Sequence, residues 1–205
     1  MLAKICGLTE KNQVKTCLEY GASMCGFILF YPKSHRNLSL KKVKKLTSLK
    51  HTKSNVAVMV NPTKSDLKKI KNFNFQYYQI YGNQDPSEIK EIKKRNRVKI
   101  IKALTVETGK DVLKYKKYQA VSDIILFDSK GMEKSLSFDH SLLKDVPKHI
   151  KKMIAGNLQI QDLEKISKIA DIDVSGALET EKKKDLTKIK EFLLKVKQIN
   201  ENRTI

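Results

Sequence analysis

Residues 24–30 read MCGFILF, apolar on successive positions rather than on alternate ones. A strand with one wet face alternates, whereas a strand covered on both faces carries an unbroken apolar run, as in a parallel sheet. The same reading applies to VAVMV at 56–60 and DIILF at 123–127. An antiparallel sandwich would alternate, so these runs select a parallel sheet.

Working outward, short apolar runs alternate with longer, Lys-rich amphipathic stretches along the chain, the pattern of repeated strand and helix. Eight strands are predicted: Leu2–Cys6, Met24–Phe30, Asn55–Val60, Tyr77–Ile80, Val98–Leu104, Ile124–Phe127, Lys152–Ala155 and Ile172–Val174. A helix is predicted after each, with apolar stripes such as Leu40, Val43, Leu46 and Leu49, or Leu186, Ile189, Leu193 and Val196. Thr9, Thr63, Asp85 and Ser87 are candidate N-caps, and Pro62 and Pro86 suit a first helical turn, where the missing N–H costs nothing. A repeat of about 25 residues matches a (β/α)₈ TIM barrel. The expectation is an α/β chain of one domain over residues 1–205, with eight parallel strands closed into a barrel. An open doubly wound sheet would carry a GxGxxG turn after its first strand, and none is present.

Composition narrows the class. Apolar residues make up 40% of the 205, too many for a disordered chain. Lys and Arg number 42 against 22 Asp and Glu, a formal charge of +20. Such a field attracts anions, whether nucleic acid or a phosphorylated substrate. The lysines are spread over nearly every predicted helix (41–45, 90–94, 182–184), as solvated outer faces would be. Trp is absent and no aromatics interleave with the lysines, which argues against a nucleic-acid partner. Cys6, Cys17 and Cys25 show neither zinc spacing nor a disulfide framework, which suits a reducing cytoplasm. No segment approaches the ~20 apolar residues of a membrane span, and the N-terminal apolar stretch is too short for a signal peptide.

In a barrel the chemistry gathers where strands end. Strand one stops at Cys6, followed by Gly7: a thiol at the mouth is a candidate base, or a small buried hydrophobe. Cys25, inside strand two, reads as packing. Strand six stops at Asp128, a candidate general acid if burial or an anion raises its pKa, or else a loop cap. Strands seven and eight run into Ala155-Gly156-Asn157 and Asp173-Val174-Ser175-Gly176, where backbone N–H groups can cradle a phosphate.

Those residues lie within longer stretches: KICGLT (Lys4–Thr9), EYGASMCGFILFYPKSHR (Glu19–Arg36), VAVMVN (Val56–Asn61), YQIYG (Tyr78–Gly82), IIKAL (Ile100–Leu104), ILFDS (Ile125–Ser129), FDH (Phe138–His140), IAGNL (Ile154–Leu158) and IDVSGALE (Ile172–Glu179). In this order they resemble the phosphoribosylanthranilate isomerase family over essentially the whole chain. The resemblance implies an Amadori rearrangement in tryptophan biosynthesis, run by acid–base chemistry without metal or cofactor. It implies Asp128 as acid, Cys6 as base with Lys4 or the overall field lowering its pKa, and Arg36 as anchor for the anthranilate carboxylate. Gly156, Asn157, Ser175 and Gly176 would hold the phosphate, with Asp173 as a buried orienting partner. The partner would be a small phosphorylated substrate, and the enzyme a monomer or homodimer.

The chain departs from the family pattern in three places. Residues 130–135 replace the usual GGTG loop; Tyr81 stands where His is common; and Asn157 with Gly176-Ala177 replaces the AGG and SSG patterns. Another sugar-phosphate barrel such as indole-glycerol-phosphate synthase would want catalytic Lys and Glu. A degenerate basic barrel binding nucleic acid or serving as a scaffold would lack turnover altogether.

Overall fold

A computed structural model describes residues 1–49, 53–130 and 137–203. Eight parallel strands close into a barrel in sequence order: β1 (Ala3–Ile5), β2 (Met24–Ile28), β3 (Ser54–Val60), β4 (Tyr77–Tyr81), β5 (Lys99–Val106), β6 (Ile124–Ser129), β7 (Lys152–Ile154) and β8 (Asp171–Val174). Each lies where the apolar runs placed it, with ends moved by one or two residues. Closure is made by β1, which pairs with β2 through Lys4↔Met24 and with β8 through Lys4↔Asp173.

Period-two alternation divides every strand between two cores. Inside the barrel pack Met24, Val56, Val58, Ile101, Leu126 and Met153, with Cys6 and Ala155 near the top. Outward, Ile5, Phe27, Met59, Ile80, Ile100 and Phe127 meet the helices. Each large side chain so buried contributes roughly 1.5–3 kcal/mol, which is why runs without alternation are stable here.

The helices are α1 (Lys11–Glu19), α2 (Leu40–Thr47), α3 (Lys64–Ile70), α4 (Pro86–Asn96), the short α5 (Gly109–Leu113) and α6 (Tyr115–Tyr118), α7 (Leu163–Ser167) and α8 (Leu186–Glu201). Thr63 and Asp85 cap α3 and α4 as expected, each within a capping box, and Pro86 opens α4. Thr9 and Ser87 do not cap. Glu10 holds the N-cap of α1 while Thr9 N–H donates to the Gln13 side chain, and Ser87 lies inside α4 with its N–H on Asp85. The stripe of α8 buries Ile189, Leu193 and Val196, but Leu186, its first residue, is exposed; Leu49 lies beyond the end of α2.

The helix predicted between β6 and β7 is not found among the described residues. Among the described residues the connection from β6 to β7 holds only a 3₁₀ turn, His140–Leu143. The altered loop of residues 130–135 falls, after Lys130, outside the described residues. Beyond β8 a 3₁₀ turn (Gly176–Leu178) leads into a two-stranded antiparallel ribbon, β9 (Glu179–Thr180) and β10 (Lys183–Lys184). Among the described residues no helix is long and apolar enough to cross a membrane.

Candidate active site

Lys4 and Cys6 share the inward face of the first strand and its extension, where the Cys6 N–H donates to Val174 O at 2.9 Å. The Lys4 ammonium, wholly buried, donates to both carboxylate oxygens of Asp173 at 2.8 Å. Burial opposes a charged ammonium, yet the neighbouring Asp173 and the Cys6 thiol leave the Lys4 pKa above its ordinary value. Space for this pair comes from Gly26 on β2, where a Cβ would stand 3.0 Å from Lys4 Nζ and 3.1 Å from Cys6 Sγ. The Cys6 thiol, however, is not brought down. Burial pushes it up and Asp173 adds to that, and the lowering by Lys4, although present, does not prevail.

Asp128 sits near the end of β6, reached by the cleft but otherwise enclosed by protein. Its Oδ2 accepts a 2.7 Å hydrogen bond from the Tyr81 hydroxyl. Burial raises its pKa to about 6, with the charge of Asp173 helping and the Tyr81 bond opposing. Desolvation and a neighbouring anion are the two causes that raise a carboxyl towards the range in which it can donate a proton near neutral pH.

Arg36 is not a solvated surface arginine. It is 8% exposed, and its Nε and Nη2 donate to the Glu179 carboxylate at 2.6 and 2.8 Å. Gly7, at φ +76°, lets the chain pass: a Cβ there would lie 2.4 Å from Arg36 Cδ. Glu179 also pairs with Lys184, whose Nζ donates to Ser175 O at 3.1 Å, and with His35 at 3.1 Å. Burial would raise the Glu179 carboxyl, but Arg36 and Lys184 hold it down at about 2. From the sequence alone Lys184 belongs to a solvated run and Glu179 carries no role. In a chain with 42 basic residues a buried lysine carries no separate signal.

Gly156 and Asn157 take left-handed backbone at φ 100° and 50°, turning the chain sharply after β7. The Ser175 hydroxyl donates to Cys6 O at 3.0 Å and accepts from Lys184 Nζ at 3.2 Å, so it braces the first strand. Cys6, Arg36, Asp128, Gly156, Asn157, Asp173, Ser175 and Gly176 all line one cleft at the C-terminal ends of the strands. Ile28, Val58 and Val60 give it an apolar wall, and its volume is about 810 Å³ including the open mouth. Cys25 is fully buried packing, as read. Among the described residues no group of three or more His, Cys, Asp or Glu could hold a metal ion.

Proton transfer is what such a mouth can do, and the class is therefore an acid–base enzyme on a (β/α)₈ barrel. The profile of the family described as N-(5'phosphoribosyl)anthranilate (PRA) isomerase matches residues 3–195. The chain belongs to that family, and is an isomerase of tryptophan biosynthesis. It is 32% identical to an N-(5'-phosphoribosyl)anthranilate isomerase of Bacillus cereus over 95% of this chain and 98% of that one. A Bacillus mycoides isomerase is 33% identical over 97% and 98%. The crystal structure of the Thermotoga maritima phosphoribosyl anthranilate isomerase is similar at a TM-score of 0.87 and 27% identity, covering 97% of this chain and all of that one. Another, solved with reduced 1-(o-carboxyphenylamino)-1-deoxyribulose 5-phosphate, is similar at 0.84 and 27%, with the same coverage.

Proposed function

We propose that Asp128 and Cys6 are the acid and base of an Amadori rearrangement that turns N-(5'-phosphoribosyl)anthranilate into 1-(2-carboxyphenylamino)-1-deoxyribulose 5-phosphate. Asp128 gives its proton to the furanose ring oxygen; the C1'–O bond breaks and the nitrogen lone pair forms an iminium. Cys6 then removes the C2' proton, the electrons neutralise the iminium, and the enolamine tautomerises to the ketone. The observation that carries this reading is the meeting of the Asp128 carboxyl and the Cys6 thiol in one cleft at the strand ends, with burial raising the carboxyl. The raised thiol is consistent with it, because the iminium supplies positive charge beside Cys6 at the moment a thiolate is needed.

Arg36, with its other edge fixed by Glu179, pairs with the anthranilate carboxylate. The backbone at Gly156, Asn157, Ser175 and Gly176 holds the phosphate, Asp173 orients Lys4 beside Cys6, and the net charge of +20 draws the anionic substrate in. Every residue named comes from one chain, so a monomer or a homodimer can work; a T. maritima relative is dimeric, and its monomers have been generated too. The described cysteines are all free, which suits the cytoplasm. The whole of residues 1–205 acts as one barrel domain.

The test is turnover of freshly generated phosphoribosylanthranilate, followed by loss of its fluorescence, for the wild type beside Cys6→Ser and Asp128→Asn. The reading requires an active wild type and variants that stay folded but fall by roughly 10²-fold or more, the scale of acid–base catalysis. An active Asp128→Asn enzyme would remove Asp128 from its role.

A further inference from the structure

Gln79 and Tyr81 follow one another on the inward face of β4, and together they form a polar chain that ends on Asp128. Gln79 is wholly buried between apolar partners, Val58 on β3 and Ile101 on β5. Its Nε2 donates to the Tyr81 hydroxyl at 3.2 Å, and that hydroxyl donates to Asp128 Oδ2 at 2.7 Å. Gln79 Oε1 is buried with no hydrogen-bond partner among the described residues. A buried amide with one end unmatched costs more than the aliphatic side chain that would fill the same space. That cost is tolerated where the amide holds something, and what it holds is the Tyr81 hydroxyl.

We propose that Tyr81, seated by Gln79, is the positioning residue of the general acid: it keeps Asp128 Oδ2 as an acceptor, so that the other carboxyl oxygen carries the transferable proton to the substrate. The inference rests on the reading of Asp128 as that acid. A proton on Oδ2 would face the Tyr81 hydrogen, so the protonated acid is steered to one geometry. As the proton leaves, Oδ2 gains charge and the Tyr81 bond becomes charge-assisted, strengthening in the transition state for ring opening and not before it. Tyr81 itself does not give up its proton: burial first, then Asp128, Asp173 and Cys6 facing it, push the phenol well above its ordinary value. The charged and titratable groups around the pair are thus Cys6 and Lys4 from the β1 strand and its extension, Asp128 from β6 and Asp173 from β8.

The experiment has two readouts. Carboxyl ¹³C NMR follows the titration of Asp128 in wild type, Tyr81→Phe, Tyr81→His and Gln79→Leu, with Asp128→Asn to assign the signal. Steady-state assays give kcat and KM for the same proteins. Removing the donor takes away the bond that favours the carboxylate, so in Tyr81→Phe the Asp128 signal titrates at higher pH. In the same variant kcat falls by roughly ten- to a hundredfold, a share of the effect of a general acid, while KM stays within about threefold. Tyr81→His, which still offers an N–H, keeps more of the rate, and Gln79→Leu loses less than Tyr81→Phe. An Asp128 titration that does not move in Tyr81→Phe overturns the proposal. So does a change confined to KM, which would make Tyr81 a substrate contact. If Tyr81→Phe does not fold, Gln79→Leu and Tyr81→His carry the same two readouts. A wild type without turnover would sink the functional reading and the proposal's catalytic part together, while the titration still reports whether Tyr81 governs Asp128; a moved titration beside an active wild type with unchanged kcat sinks the proposal alone.

Discussion

Lys4 and Asp173 stand 169 residues apart in sequence and 2.8 Å apart in space, joining the first strand to the last inside the barrel. The contact therefore reinforces the closure made by the β1–β8 pairing and places a cation beside Cys6.

Replacing Lys4 by Met strands a buried carboxylate, so Lys4→Met is expected to lose about 3–5 kcal/mol in urea unfolding. The double variant Lys4→Met/Asp173→Leu, which removes both charges, should recover much of that stability without recovering activity. A double variant as unstable as the single one would mean that the pair is not coupled.

Gly26→Ala probes the space around the thiol. Its new methyl group would press on the Cys6 backbone and sulfur and on a Lys4 ammonium already pinned by Asp173. We expect a cost of about 1–3 kcal/mol from overpacking, and a fall in kcat larger than any change in KM. Unchanged kinetics would show that the site yields easily.

The Glu179 carboxyl titrates at about 2 in the fold against an ordinary 4.5. Its ionised form therefore contributes stability that is present above 4.5 and lost as pH falls from there towards 2. Glu179→Gln should be less stable than wild type by about 2–4 kcal/mol at pH 7, somewhat less than the roughly 3–5 kcal/mol of a pair as deeply buried as Lys4 and Asp173, with the gap narrowing in acid. Loss of the brace on Arg36 should also raise KM. A gap independent of pH would contradict the charge pairing.

Asp128 has the opposite sign. The folded chain keeps its proton up to about pH 6, whereas the ordinary value is 3.8, so its contribution to stability is complete below 3.8 and is lost as pH rises through 6. Asp128→Asn keeps an acceptor for Tyr81 and removes the buried charge. At pH 8 we expect it to be inactive yet more stable than wild type by about 1 kcal/mol in thermal unfolding, a trade of stability for function.

The barrel was legible because strands such as Met24–Ile28 are covered on both faces, and double coverage writes itself as an unbroken apolar run. Cys6, Asp128, Gly156, Asn157, Asp173, Ser175 and Gly176, picked out at the strand ends, meet in one cleft because strand ends in a barrel converge, and Arg36, named from the resemblance, joins them from the loop after β2. What escaped was charge turned inward. Lys184 lies at the end of a lysine run whose other members are exposed, and nothing local distinguishes the one that folds under to Glu179 and Ser175. Lys102 escaped likewise: it is fully buried beneath Tyr118 and satisfied by three backbone carbonyls, a setting that appears only once β4 and β5 are paired. The helix expected after β6 is not found among the described residues, because repetition of the strand–helix unit was extended to a connection that, where described, holds one 3₁₀ turn.

Closure by β1 and β8 has a consequence for synthesis. The strand that carries Lys4 emerges first, yet one of its two neighbours, β8, is made about 170 residues later. At roughly 5–20 residues per second that is an interval of about ten to thirty seconds in which the nascent sheet is open and β1 has one bare edge. A chain cut short before β8 presents an open, edge-exposed sheet in which Lys4 lacks Asp173, a species suited to chaperone capture or aggregation.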